Sequence, residues 1–166
     1  MEPIFAGNLP EDLIYDIMSR DFATLALFPC LCKNLAQRFR VVQIRDDADF
    51  NKLEGEKRIL SIDASSYKIW DGLDRIAVLR VRYLKLFSAY NVNLEHLRFA
   101  KDVQVLDLSH CDQLNWEQLR ALCGIQKLML RGCKIEDKHL GLFSGMQALE
   151  TLDLSHCYVT DEGLHT

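Results

Sequence analysis

The chain lacks an apolar stretch long enough to cross a bilayer: its longest apolar run near the start, residues 23–32, is far shorter than the roughly 20 residues that a spanning helix needs. The residues before this run carry Glu11, Asp12, Asp16 and Asp21 instead of a cationic segment, so it is not a signal peptide. A basic surplus is missing too, with 20 Lys and Arg against 24 Asp and Glu and a net charge of -4. We therefore expect no membrane and no nucleic acid among its partners.

Motifs of common catalytic sites are also missing. The chain contains no P-loop, no GxSxG, no HExxH and no dinucleotide-binding fingerprint. It has no CxxC pair, and Cys30 and Cys32 are too close together for a zinc knuckle. Without a secretion signal, the six cysteines are expected to be reduced thiols in the cytoplasm or the nucleus. The sequence thus predicts a protein that is not an enzyme and that has no cofactor and no metal.

What the sequence does contain is an internal repeat. The hexapeptide LDLSHC occurs at residues 106–111 and again at 152–157, and related hexapeptides begin at residues 60, 84 and 128, so that the copies follow one another at intervals of 22 or 24 residues. Each copy has apolar residues at its first and third places, and apolar residues at helical spacing follow it. The sixth place is small or carries sulfur, as Ser65, Ala89, Cys111, Cys133 and Cys157. A short strand followed by a helix is predicted for each unit, and one more strand is predicted at residues 41–44.

Two kinds of chemistry could be hidden in LDLSHC. Asp, Ser and His are the residues of a hydrolytic triad, but in a strand Asp107 and Ser109 project from one face while His110 is directed elsewhere or lies already in the turn. The sixth-place cysteines would form a column that could hold a soft metal, but Ala89 and Ser65 fill the same place upstream. We therefore expect structural thiols and no triad.

The repeat resembles the leucine-rich repeat family, whose unit reads LxxLxLxx(N/C)xL, and residues 149–164, LETLDLSHCYVTDEGL, resemble its cysteine-containing subtype. The resemblance covers about residues 58–166. It implies an α/β fold, a leucine-rich-repeat solenoid with parallel short strands on the concave face and helices on the convex face, in which the sixth place turns inward to bond backbone groups. About five to six repeats are expected over residues 41–166. Because a polar cap is missing before Thr166, we expect more repeats or a partner to cover that end.

Alternate strand residues should face solvent on the concave side. Phe87 and Met129 are apolar residues at such places, and Lys85 and Arg131 flank them, which suits a surface that binds a partner. Scattered apolar residues are also common on ordinary surfaces, so both interpretations stay open. The places expected to face solvent are Ser61, Asp63, Lys85, Phe87, Asp107, Ser109, Met129, Arg131, Asp153 and Ser155. The predicted concave partner-binding residues are Lys85, Phe87, Asp107, Met129, Arg131 and Asp153.

Three short helices are predicted in the first forty residues, over about 8–18, 22–27 and 32–40. This all-helical segment, residues 1–40, resembles an F-box, which begins LPxEL(L)xxI, continues through a leucine-rich middle and ends near a Cys-Lys pair. The residues that match are Leu9, Pro10, Leu13, Ile14, Ile17, Leu25, Ala26, Leu27, Cys32 and Lys33. Its place in front of leucine-rich repeats strengthens the resemblance.

The resemblance implies a non-catalytic substrate receptor of a Skp–cullin–F-box ubiquitin ligase. Its partners would be the adaptor subunit of that ligase and an unknown protein substrate on the concave face. The adaptor-binding residues would be Leu9, Pro10, Leu13, Ile17 and Leu25. The alternative is a structural scaffold, a permanent subunit of a larger assembly in which residues 1–40 only cap the solenoid.

Overall fold

A computed structural model describes residues 40–53, 59–65, 76, 79–90 and 92–163 of the chain. Six short strands pair in chain order, all parallel, in one sheet. The strands are β1 (Arg40–Gln43), β2 (Ile59–Asp63), β3 (Tyr83–Lys85), β4 (Val105–Asp107), β5 (Lys127–Met129) and β6 (Thr151–Asp153). The described helices are α1 (Asp47–Asn51) and the 3₁₀ helices η1 (Leu94–Phe99), η2 (Trp116–Ala121) and η3 (Asp137–Gly145). Each strand from β3 to β5 is followed by one 3₁₀ helix, so this part of the chain winds as a solenoid of strand–helix coils.

The predicted register is confirmed from the third strand onward. Leu84, Leu106, Leu128 and Leu152 are register partners on successive strands, and the first three are completely buried. Successive strands lie about 4.8 Å apart. The repeated first-place leucines therefore stack as one column in the core.

The predicted alignment of the copy at residue 60 is wrong by two residues. The structure pairs Ile62, not Leu60, with Leu84, and the Ala64 amide donates to the Lys85 carbonyl as the Leu86 amide does to that of Asp107. Both apolar residues share one parity in the strand, so alternation alone could not decide between them. Ser65 consequently lies at the fourth place of its repeat and is not equivalent to Ala89.

The strand predicted at residues 41–44 is confirmed as β1, one residue earlier. Val42 is the register partner of Ile62, and Ile44 is buried just beyond the strand, with its amide 2.9 Å from the Asp63 carbonyl oxygen. The helix predicted over residues 32–40 does not include Arg40, because Arg40 is already paired in this strand; the rest of that predicted helix lies outside the described residues.

The helical halves of the coils bury apolar residues that follow the hexapeptides at helical spacing. Leu94, Leu97 and Leu119 are in the core. These segments are 3₁₀ rather than α-helical, a form common in short connectors. Asn93 and Asn115 cap η1 and η2, because each side-chain oxygen accepts the amide N–H two residues on.

The last described coil is less covered than the others. Residues of β6 and the turn after it are only partly buried, although their equivalents one coil earlier are completely buried. The partly buried residues are Leu152, Leu154, Cys157 and Val159. Among the described residues, no helix has both the length and the apolar character needed to cross a membrane.

Candidate protein-binding face

The sixth-place cysteines point into the solenoid and bond its backbone. Cys111, Cys133 and Cys157 each donate a thiol hydrogen to a third-place carbonyl of the preceding coil, with sulfur–oxygen distances of 3.1, 3.2 and 3.1 Å. The acceptors are Leu86, Leu108 and Leu130. Burial raises the pKa of Cys111 to about 12 and that of Cys133 to about 11, so these thiols stay protonated at neutral pH. The predicted inward, structural role of this column is confirmed, and within the described residues no group of three or more His, Cys, Asp or Glu side chains could hold a metal.

The fifth place of the repeat is a left-handed turn. Four successive coils have positive φ there, at Ser88 (55°), His110 (60°), Gly132 (68°) and His156 (61°). A positive φ reverses the direction of the chain just before the inward sixth place, and glycine adopts it at the lowest cost. Both histidines of the LDLSHC copies therefore lie in turns at the rim of the sheet, outside the strands.

The Asp and Ser of LDLSHC form hydrogen bonds that stabilise this turn. Asp107 accepts the backbone N–H of Ser109 at 2.9 Å, and Asp153 accepts that of Ser155 at 2.9 Å. His110 packs against Phe87 instead of joining the Asp–Ser pair of its own strand. The repeated hexapeptide is thus a strand-to-turn unit, and its side chains are arranged for backbone bonding, not for nucleophilic catalysis.

Opposite the core, the second and fourth places of the strands form a surface that we call the strand face. Along it, short Asp–Ser pairs alternate with pairs of long side chains. From β2 to β6 the pairs are Asp63 and Ser65, Lys85 and Phe87, Asp107 and Ser109, Met129 and Arg131, and Asp153 and Ser155. The long pairs stand two strands apart, about 10 Å. The strand face therefore has two ridges, ridge 1 on β3 and ridge 2 on β5, separated by the short side chains of β4.

Ridge 1 is an aromatic cluster with a cation beside it. Phe87 is 38% exposed, its ring lies 5.1 Å from that of His110 in an edge-on arrangement, and the Lys85 ammonium lies 5.5 Å from its centroid. The same ammonium is 3.7 Å from a carboxylate oxygen of Asp63. Gly132 leaves room for the imidazole, because a Cβ there would lie 2.5 Å from Cε1 of His110.

Ridge 2 carries a guanidinium. Arg131 is exposed, and its Nη2 is 3.3 Å from Nε2 of His156 on the next coil. Hydrogen bonds from Ser155 hold the pKa of Asp153 below its usual value, and the charge of Arg131 adds to this effect. Met129 lies half-buried at the strand end of the ridge. Ridge 2 therefore offers an accessible cation beside a polarizable side chain.

The structure corrects three of the expected exposures on this face. Asp107 is only 8% exposed because the long residues Lys85 and Met129 are its register neighbours and because its carboxylate bonds the turn. Ser109 is buried with it, and Ser61, beside Tyr83, is completely buried, with a hydroxyl that has no hydrogen-bond partner in the described part of the chain.

Of the other predicted partner-binding residues, Phe87 and Arg131 are exposed and Lys85, Met129 and Asp153 are half-buried. His110 and His156 were not among the predicted site residues, although a glycine at their place in the neighbouring repeat was a sign of a turn. The predicted adaptor-binding residues Leu9, Pro10, Leu13, Ile17 and Leu25 lie outside the described residues.

Comparison with protein families matches residues 145–165 to the Leucine Rich repeat. Among solved structures, the chain is similar to an internalin (inlF) from Listeria monocytogenes str. 4b F2365, with a TM-score of 0.55 and 22% identity over 74% of this chain and 35% of that one. The fold is a leucine-rich-repeat solenoid. Internalin C2 (inlC2) from the same strain gives a TM-score of 0.53 and 23% identity over 72% of this chain and 50% of that one.

The chain thus spans half or less of the length of these two internalins, and at such identities the similarity concerns the fold. No curated protein sequence matches the chain.

Proposed function

We propose that this chain is a non-catalytic protein-interaction module that binds a protein partner across ridges 1 and 2 of its strand face. The observation that carries the proposal is the exposed ring of Phe87, which lies 5.5 Å from the Lys85 ammonium and 5.1 Å from the His110 ring. Arg131 on ridge 2 adds an exposed guanidinium. Aromatic and arginine side chains dominate the energetics of protein interfaces, and a solenoid presents them on one continuous surface.

The geometry of the two ridges favours a partner with complementary charge. The three aspartates of the face accept hydrogen bonds from their own turns. The cations of Lys85, which also faces Asp63 at 3.7 Å, and of Arg131 stand on ridges 1 and 2. A partner segment that places an apolar side chain against Phe87 and acidic groups beside the two cations would fit this arrangement.

We further propose that the module is a substrate receptor of a Skp–cullin–F-box ubiquitin ligase. The support is the resemblance of residues 1–40 to an F-box and their position directly before the repeats. In this role the strand face holds a substrate, while Leu9, Pro10, Leu13, Ile17 and Leu25 bind the adaptor as apolar anchors. The protein would act by raising the concentration of substrate near a ubiquitin-loaded enzyme.

The alternative is a structural subunit in which residues 1–40 cap the solenoid. The observation in its favour is that β1 begins at Arg40, the last residue of this segment, and that Val42 in β1 and Ile44 just after it are buried. A solenoid needs cover at its first coil. The two proposals differ in what a charge at Leu13 would do.

The test is copurification of the full chain with a recombinant ubiquitin-ligase adaptor, wild type beside Leu13→Asp and the control Asp16→Asn, with circular dichroism on each. A folded Leu13→Asp variant that has lost the adaptor, with Asp16→Asn still bound, supports the receptor role. An unfolded Leu13→Asp variant supports the cap. A wild-type chain that does not bind the adaptor contradicts the receptor role.

The strand-face proposal has its own test, which does not depend on the ligase. Partners are purified from cells with the wild type, with the double variant Phe87→Ser/Arg131→Ser, and with the control Arg120→Ser on η2, whose side chain is exposed and pairs with Glu117. Proteins that the double variant alone loses bind through the strand face. An unchanged set of partners contradicts the proposal.

A further inference from the structure

A second exposed surface runs beside the strand face. The residue directly after the sixth place is exposed in four successive coils, and these residues are Tyr90, Asp112, Lys134 and Tyr158. We call them the edge column. Tyr90 and Tyr158 are 58% and 67% exposed and, with Phe87, are the large apolar side chains most exposed to solvent in the described residues. The proposed function uses Phe87 but neither tyrosine.

Contacts between coils hold three members of the edge column, Asp112, Lys134 and Tyr158, beside one another. The Lys134 ammonium is 3.8 Å from a carboxylate oxygen of Asp112 one coil earlier. The amide of Tyr158 donates to the carbonyl of Ile135, the residue after Lys134, at 2.8 Å. With coils about 5 Å apart, the four residues cover about 15 Å. In chain order the edge column therefore consists of an aromatic, a negatively charged, a positively charged and an aromatic side chain.

This order is complementary to itself when it is reversed. In a twofold-symmetric dimer the same patch meets itself in the opposite direction, so residue i contacts residue j and j contacts i. Two antiparallel edge columns would place each Asp112 opposite Lys134 of the second copy, and each Tyr90 opposite Tyr158. A parallel arrangement would instead place like charges together, which is unfavourable.

We propose that the edge column is the contact surface of a twofold-symmetric homodimer in which a second copy of this chain lies antiparallel to the first. At the centre, two aspartates and two lysines alternate, so every charge has opposite charges as neighbours. At each end a pair of tyrosine rings covers its apolar faces while the hydroxyl groups remain accessible to water. The strand face stays available to another partner, so the dimer does not depend on the proposed function.

A second copy is the occupant that the charges favour. A strongly acidic or basic partner would find one attractive and one repulsive charge in the column, whose two central charges cancel. The reversed sequence of the column itself satisfies both charges and both rings. Four residues from each copy make a small interface, so we expect a weak association that depends on protein concentration.

The test uses sedimentation equilibrium of the full chain with two charge reversals, Asp112→Lys and Lys134→Asp. Each variant alone gathers four like charges at the centre of the dimer, and we expect its dimer dissociation constant to rise at least tenfold. An equimolar mixture of the two should associate again, because the lysine introduced at 112 in one chain faces the aspartate introduced at 134 in the other. The ion pair within each chain remains broken in the mixture, so this recovery reports contact between chains.

Two further variants complete the design. Arg120→Glu breaks an exposed ion pair of similar type on η2 and should leave the dissociation constant unchanged, whereas Tyr90→Ser/Tyr158→Ser should raise it. Circular dichroism confirms that each variant is folded. A wild-type chain that stays monomeric at every concentration, or a mixture that does not recover association, overturns the proposal.

Discussion

Substituting alanine for Gly132 is expected to destabilise the chain by about 2 kcal/mol through two separable effects. The first is the backbone: Gly132 has φ of 68°, and a side chain in this region costs about 1 to 2 kcal/mol, of which up to about 1 kcal/mol is offset because alanine also restricts the unfolded chain. The second is steric, since the new Cβ would lie 2.5 Å from Cε1 and 2.6 Å from Nδ1 of His110.

The steric effect is specific to the imidazole. To admit the new methyl group, His110 must leave its position against Phe87, and an edge-on aromatic contact of this kind contributes about 1 kcal/mol. In a chain that already carries His110→Ala, Gly132→Ala should therefore retain only the backbone cost, about 1 kcal/mol. The coupling free energy between the two substitutions should be about 1 kcal/mol.

Urea denaturation followed by circular dichroism measures the four free energies of unfolding of this double-mutant cycle. Gly132→Asn separates the steric effect from the backbone effect, because asparagine tolerates positive φ while its Cβ still meets the imidazole. An equal cost of Gly132→Ala in both backgrounds would show that His110 does not lie over Gly132. An unchanged stability of Gly132→Ala would refute the left-handed turn itself.

Three further results are expected. Leu128→Ala should lower the free energy of unfolding by about 2 to 5 kcal/mol in urea titrations. The loss should exceed that of Leu152→Ala, because Leu128 is completely buried and Leu152 only partly; equal losses would contradict this difference in burial. Iodoacetamide should label Cys123 in the native chain but not Cys111 or Cys133, as mass spectrometry of the described region would detect; rapid labelling of all three would contradict the inward column. Burial raises the pKa of Cys111 from 9.0 to about 12. The contribution of this thiol to stability is therefore full below pH 9 and is lost as the pH rises towards 12. Cys111→Ala should lose less stability above pH 9 than the wild type, and parallel pH profiles of the free energy of unfolding would contradict this.

The order of the coils could be predicted from the sequence because it depends on a period. Leu106 and Leu152 begin identical hexapeptides, and Leu84 and Leu128 begin related ones, so aligning the copies gave the register that the strands adopt. The error at β2 has the same origin. Leu60 and Ile62 have the same parity in the strand, so the alternation of apolar residues allows either to occupy the first place of the repeat. Only the backbone pairing with the next strand selects Ile62.

The candidate site is harder to predict from the sequence, because the exposure of a side chain depends on neighbours some 22 residues away in the chain. Asp107 was expected to face a partner, yet the side chains beside it on β3 and β5 are longer than its own and cover it. The contact between Phe87 and His110 joins the fourth place of one repeat to the fifth place of the next. Such a contact follows from the register and the left-handed turn together, and neither residue indicates it alone.

Photo-crosslinking in cells shows whether the strand face binds a protein partner. A photoreactive phenylalanine analogue is placed at Phe87 on ridge 1 and, in a separate chain, at Arg120 on η2 as the control. If the strand face binds a partner, position 87 should form covalent adducts with a protein other than this chain, and position 120 should form none with the same protein. Adducts at both positions with the same proteins, or none at position 87, would contradict it.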